Sequence, residues 1–221
     1  MENDPRAREL LLQHGVREIP ALAKGGRFVV AKNLDLVAKF LGLHGSGHVP
    51  LPPEALFRKW VKVLSAAQRY VRQIPDDQMI LRATKNRGRP LAVLCHHIFS
   101  IGDALLECAV SGASNLDGLT TKSLAPGAFG TGEEIARHGD EVIARLERWW
   151  NELDDRTCAR RMEIANYGVI SVHQMLERCT WHSAHHARQL ADVLDRQGIT
   201  PDGKLTAGDL AGLPLPERIW E

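Results

Sequence analysis

Between Val169 and Gln197 the chain carries no proline and no internal glycine. In the middle of that run stands Cys179-Thr180-Trp181-His182-Ser183-Ala184-His185-His186-Ala187-Arg188-Gln189-Leu190. Its periodicity predicts one long helix. On a helix His182 and His186 are four apart and lie one turn apart on the same face. Met175, Cys179, Leu190 and Val193 share that face, so the two imidazoles point at a core rather than at water. Two imidazoles stacked one turn apart inside a core make half of a metal site. Another helix must supply the rest, which favours an all-helical packing around this one.

Three further helices are expected. Pro53 to Gln73 carries one apolar stripe through Leu56, Trp60, Val63, Leu64, Ala67 and Val71, and Pro75 stops it. Pro90 to Val110 directs Leu94, Ile98, Ile101 and Leu105 inward. Thr131 to Leu153 opens with Thr131 as cap and Glu134 at the capping-box position. A basic connection with Lys85, Arg87 and Arg89 joins the first two. A long Gly/Ser/Thr-rich segment, Ser111 to Gly130, follows the second; connections of this length often serve a site. Asp154 to Gly168, with Arg160 and Arg161, reads as a connection. Four helices with long connections predict a mainly α four-helix bundle over residues 54–198, followed by a Gly/Pro-punctuated tail, 199–221.

Residues 1–43 differ in character. Asp4-Pro5 starts a helix that stops at Gly15. Val16 to Leu22 alternates like a strand around Pro20. Lys24-Gly25-Gly26-Arg27 is a hairpin turn leading to a second strand, and Asn33 caps a helix with Leu34, Val37, Phe40 and Leu41. This α-β-β-α order, with Ile19-Pro20 before a Gly-Gly hairpin, resembles the C-terminal half of a glutaredoxin, a partial thioredoxin-like segment. The resemblance implies a cis bond before Pro20. The C-x-x-C half is missing and no cysteine precedes Cys95, so redox activity does not carry over. Either the natural start lies upstream or this is a reduced half-domain. Residues 44–53, rich in Gly and Pro, read as a linker in which His44 and His48 are solvated.

Charge and cysteine usage narrow the function. The net charge of +1 over 221 residues favours neither nucleic acid nor an anionic membrane as partner. No apolar run approaches a membrane span, and the polar start is no signal peptide. Cys95, Cys108, Cys158 and Cys179 form no C-x-x-C pair and read as buried reduced thiols of a cytoplasmic protein.

The third ligand is sought in Cys95-His96-His97-Ile98. His97 shares a helical line with Leu94, Ile101 and Leu105 and faces inward, whereas His96 lies with Ala92, Ser100 and Asp103 toward an edge. His97, His182 and His186 together suit Zn²⁺ or Ni²⁺ and leave a coordination position open, the mark of a chemical site. His185 could replace His186, and Cys179 could serve as a soft ligand; both, with His96, otherwise stand beside the site. His138 and His173 read as surface or interface residues. The bland alternative is that all these histidines only stabilise the bundle.

The joint pattern of Leu-Cys-His-His-Ile on the second helix and His182-x-x-His185-His186-x-x-Gln189 on the last resembles the DinB-like superfamily over roughly residues 50–198. The resemblance implies a four-helix bundle with His97, His182 and His186 as ligands of Zn or Ni, and a homodimer. It also implies a metal-dependent thiol S-transferase or related enzyme acting with a low-molecular-weight thiol on an electrophile. Arg87, Arg89, Arg160 and Arg161 could bind thiol carboxylates, although solvated surface is their simpler role. The other reading is a non-enzymatic stress-related or binding module. A saturated site would favour it; an open one favours the enzyme.

Overall fold

The computed structural model describes residues 5–16, 20–44, 48–81, 90–121, 131–217 and 219. Asp4, the peptide bond between Ile19 and Pro20, Lys85, Arg87, Arg89 and residues 122–130 of the long connection lie outside them. The described chain divides into two compact units, one of residues 1–49 with 163–169, the other of residues 50–162 with 170–221.

The larger unit contains the four long helices. Helix α3 (Pro53–Arg72) begins with proline at its first position, where the missing N–H costs nothing, and keeps Arg69 and Arg72 in its last turn. Helix α4 (Leu91–Ser111) follows Pro90 and ends at Gly112, whose φ of +75° is the left-handed conformation a helix end uses and glycine adopts without strain. Helix α6 (Gly132–Asn151) opens with the expected capping box: Thr131 Oγ1 accepts from Glu134 N, and Glu134 Oε2 accepts from Thr131 N. Helix α7 (Val172–Arg196) has a second box, Ser171 with Gln174. The long helix thus starts three residues later than its periodicity suggests. Val169 to Ser171 belong instead to a strand.

That strand is part of a hairpin inside the stretch read as a plain connection. Strands β3 (Arg161–Ile164) and β4 (Gly168–Ser171) pair, and Asn166, at a φ of +68°, makes the turn. Met162 and Ile164 alternate along β3, and β-branched Val169 and Ile170 in β4 likewise favour extended structure over helix. A second surprise lies in the long connection after α4, where Leu116–Thr120 forms a short helix, α5, capped by Asn115 Oδ1 accepting from Gly118 N at 2.9 Å.

Around the bundle α3 and α4 each pack against both α6 and α7, so α6 and α7 stand at opposite corners. Trp60, Tyr70, Phe99, Leu64, Ile98 and Leu105 are fully buried between them. Two glycines allow α4 and α6 to approach closely. A Cβ on Gly139 would lie 2.6 Å from the Phe99 ring, and one on Gly102 would lie 2.5 Å from Val142. Tail residues fasten to α3: Gln73 Nε2 donates to Thr200 O and Gln73 Oε1 accepts from Asp202 N, both at 2.8 Å.

Helix α4, at 21 residues, is long and apolar enough to cross a membrane, which corrects the expectation that no run approaches that length; 72% of its apolar stretch is buried inside the protein. All four cysteines are free and buried.

The smaller unit has the expected α-β-β-α order. Helix α1 is Pro5–Gln13, strands β1 (Ala21–Lys24) and β2 (Arg27–Val30) pair antiparallel, and helix α2 is Leu34–Leu41. Lys24 pairs with Arg27 across the Gly25-Gly26 turn, where both φ values are positive as a tight two-residue hairpin requires. Strand β1 begins at Ala21, and residues 17–19 of the expected strand lie outside the described residues. Asn33 caps α2 by accepting from Leu36 N, and its amide donates to Tyr167 O at 2.9 Å.

Candidate metal centre

Helices α4 and α7 bring His97, His182 and His186 together. One ring nitrogen from each lies within 4.8 Å of the others, and this is the one such group among the described residues. His97 and His186 are buried and His182 is half-buried. The Nε2 atoms of His97 and His182 are 3.5 Å apart. Two nitrogens on one tetrahedral zinc, at about 2.0–2.1 Å from the metal, stand about 3.3–3.4 Å apart, so the pair already has the spacing of shared ligands.

The other ring nitrogens explain why these atoms converge. His97 Nδ1 lies 2.6 Å from the carbonyl oxygen of Thr120, at the end of α5. A carbonyl only accepts, so Nδ1 carries the proton and Nε2 keeps its lone pair. His186 Nδ1 lies 2.7 Å from Gln189 Oε1, which imposes the same tautomer. Burial, then the neighbouring His186 ring and the Arg178 guanidinium, hold the pKa of His182 well below its ordinary 6.5. Near neutral pH His182 is therefore uncharged, the state in which imidazole binds a metal.

Helix α7 is anchored beside this group. Trp60 Nε1 donates to Ser183 Oγ at 2.9 Å, and Ser183 Oγ donates onward to Ile98 O at 3.4 Å. One hydroxyl thus ties α3, α7 and α4 together next to His182 and His97. Arg178, one turn before His182, pairs with Asp117 of α5 at 3.2 Å and stacks over Trp181 at 5.2 Å.

The remaining sequence candidates stand apart from the three-imidazole group. His185 is buried, its ring 5.3 Å from that of His186. Cys179 is buried and lies outside the three-imidazole group, and burial pushes its thiol up to about 12. His96 turns to α6: its ring stacks on His138 at 5.2 Å and its Nδ1 meets Ser100 Oγ at 2.9 Å. His138 is no simple surface residue, since Nε2 meets Asp103 Oδ2 at 3.1 Å; His173 Nε2 donates to Leu51 O at 2.8 Å. Arg160 donates to Ala109 O. A cavity of about 560 Å³ lies among Tyr70, Arg188, Lys204 and Leu210 and includes none of the three histidines. Thr120, Gln189, Asp117 and Arg178 carry no assigned role in the sequence reading. Gln189 is three residues after His186 and was within reach of helical spacing; a backbone carbonyl has no sequence signature.

The family profile described as the DinB superfamily matches residues 54–190, well over half of the chain. The chain belongs to the DinB superfamily. Among solved structures its bundle is similar to YfiT from Bacillus subtilis, described as a probable metal-dependent hydrolase with an unusual four-helix bundle topology. That likeness has a TM-score of 0.50 at 16% identity and covers 65% of this chain and 89% of that one. A mycothiol-dependent maleylpyruvate isomerase, solved as a histidine-to-alanine mutant, has a TM-score of 0.49 at 13% identity, covering 63% of this chain and 61% of that one. No curated protein matches the sequence. The three histidines lie inside the residues that the family profile matches.

Proposed function

We propose that His97, His182 and His186 hold a divalent metal, Zn²⁺ or Ni²⁺, and that the protein is a metal-dependent thiol S-transferase or a related enzyme. The observation that carries the metal site is the pair of fixed Nδ1 protons: Thr120 O and Gln189 Oε1 leave the lone pairs of His97 and His186 on Nε2, in a group whose ring nitrogens lie within 4.8 Å of one another. Three neutral nitrogens suit a borderline-soft cation and leave a position for a further ligand. A metal bound there would act as a Lewis acid that lowers the pKa of a thiol or water brought to it.

The chain's own residues do the rest. Depression of the His182 pKa keeps that ring unprotonated, and its half-buried position leaves an approach from solvent. The packed α4–α7 wall keeps His97 and His186 dry. The thiol preference is supported by family membership and by the α-β-β-α order of the N-terminal unit, which fits a partial glutaredoxin-like segment of the kind that recognises glutathione. The relatives' own substrates are not carried over beyond this class. A homodimer is proposed on the same family ground, with light scattering as its check.

Elemental analysis of protein expressed without a His tag tests the reading. The expected result is about one Zn or Ni per chain, lost in His182→Ala, together with metal-dependent transfer from a low-molecular-weight thiol to a reactive electrophile. A parent protein that takes up no metal on reconstitution would sink the proposal, and metal without any transfer would favour a structural role.

A further inference from the structure

Helix α5 touches both ligand-bearing helices. On one side Thr120 O accepts from His97 Nδ1 of α4 at 2.6 Å; on the other Asp117 Oδ1 meets Arg178 Nη2 of α7 at 3.2 Å. Both partners of that ion pair are mostly shielded, their side chains 21% and 19% exposed, so salt screens the pair less than it would a surface contact. Arg178 cannot swing freely, because its guanidinium lies over Trp181, whose ring adjoins His182 at 5.7 Å. Leu116, fully buried, and the Asn115 cap keep α5 folded as a unit.

We propose that the Asp117–Arg178 pair is a positioning device for the metal centre, locking α5 between α4 and α7 so that the Thr120 carbonyl fixes the His97 tautomer and aims its Nε2 at the two ligands on α7. This rests on the metal-site reading above and deepens it. Neither Asp117 nor Arg178 is a ligand; each acts through His97. Outer partners that hold a ligand imidazole typically matter about 10- to 100-fold in metal affinity. The pair acts at one remove, so about tenfold is the expected size.

The sign of one variant separates positioning from bulk electrostatics. Asp117→Asn removes a negative charge near a cation site and should weaken metal binding on either account. Arg178→Gln removes a positive charge whose field already reaches His182. By charge alone it should tighten metal binding; by loss of the lock it should weaken it.

The test is a chelator-competition titration of Zn²⁺ on the parent, Asp117→Asn, Arg178→Gln and Arg178→Lys, with melting curves run alongside. Positioning predicts about tenfold weaker binding in Asp117→Asn and Arg178→Gln, with Arg178→Lys recovering part of the loss. Unchanged or tighter binding in Arg178→Gln overturns the proposal. The imidazole ¹⁵N spectrum of the metal-free protein gives a second readout. His97 should be protonated at Nδ1 in the parent and become a mixture of tautomers in Asp117→Asn, a near-isosteric change; an unaltered His97 spectrum in that variant overturns the proposal too. If the parent binds no Zn²⁺, the metal-site reading fails by itself, and the tautomer spectrum still decides whether the lock exists.

Discussion

Two histidine clusters flank α4, one residue apart in sequence. His97 looks toward α7 and meets His182 and His186; His96 looks toward α6 and stacks on His138. The rotation of about 100° between successive helical residues sends them to different neighbours with different chemistry. His97 and His186 have neutral carbonyl acceptors on Nδ1, which leave a lone pair on Nε2. The second cluster has a hydroxyl on His96 and a carboxylate on His138, which use the rings for packing and a polar contact between α4 and α6. Burial lowers the His96 pKa to about 4, so that ring is neutral as well. Neutrality alone therefore does not separate the two clusters; convergence of ring nitrogens does.

The contrast can be broken most directly by deletion. His97→Ala should abolish metal binding, whereas His96→Ala and His138→Ala should leave metal content at the parent level by elemental analysis. Loss of metal in His138→Ala would show that the two clusters act as one.

The next effect concerns what brings each cluster together. Gly139→Ala places a methyl against the rigid Phe99 ring next to His138 and should cost about 1–3 kcal/mol in chemical denaturation. Ser183→Ala leaves the buried Trp60 N–H without its acceptor beside His182 and should cost about 1–3 kcal/mol. Adding Trp60→Phe should recover part of that second loss, and a fully additive pair would show that the hydrogen bond matters little.

Cysteine chemistry sharpens the boundary of the three-imidazole group. Burial pushes the Cys108 thiol up to about 11 and the Cys179 thiol up to about 12, from ordinary values near 9. From about pH 9 upward the unfolded chain releases thiol protons that the folded chain still holds, so stability should fall between pH 9 and 12 and be unaffected by these groups below pH 9. Melting temperatures at about pH 8 and about pH 10, with Cys179→Ala showing the smaller drop, check the sign. Cobalt-substituted protein should show no thiolate-to-metal absorption if Cys179 stays outside the site. The smallest effect is expected at Asp103, which is partly exposed and pairs with His138 and Arg145. Asp103→Asn should cost less than about 1 kcal/mol with no change in metal affinity.

The bundle was legible in the sequence because its helices are punctuated: Pro53 and Thr131 with Glu134 mark starts that local chemistry alone explains, whereas periodicity sets the start of α7 near Val169, ahead of the Ser171–Gln174 box that opens it. The convergent trio was legible for a similar reason, since spacing four on one helix and an inward phase on another are helical arithmetic. The hairpin from Arg161 to Ser171 and the five-residue helix α5 were not: elements this short show no period, and neither carries a turn signal like the Gly25-Gly26 pair that revealed the equally short β1 and β2. The Thr120 carbonyl belongs to every residue type alike. The partnerships of His138 with Asp103 and Arg178 with Asp117 join residues of different helices, which only tertiary packing reveals.

The ring order of the helices has a consequence for how the chain is made. Helix α3 finds its most extensive neighbour in α7, about a hundred residues further on, and α4 depends on the same helix. A nascent chain that has completed α3, α4 and α6 still exposes the apolar stripes meant for α7. Such distant pairing slows collapse to the native state and leaves sticky surface in the interval. The last of the four long helices to leave the ribosome is also the one that carries two of the three histidines. Completion of the bundle and convergence of the three histidines therefore come together, late in the chain.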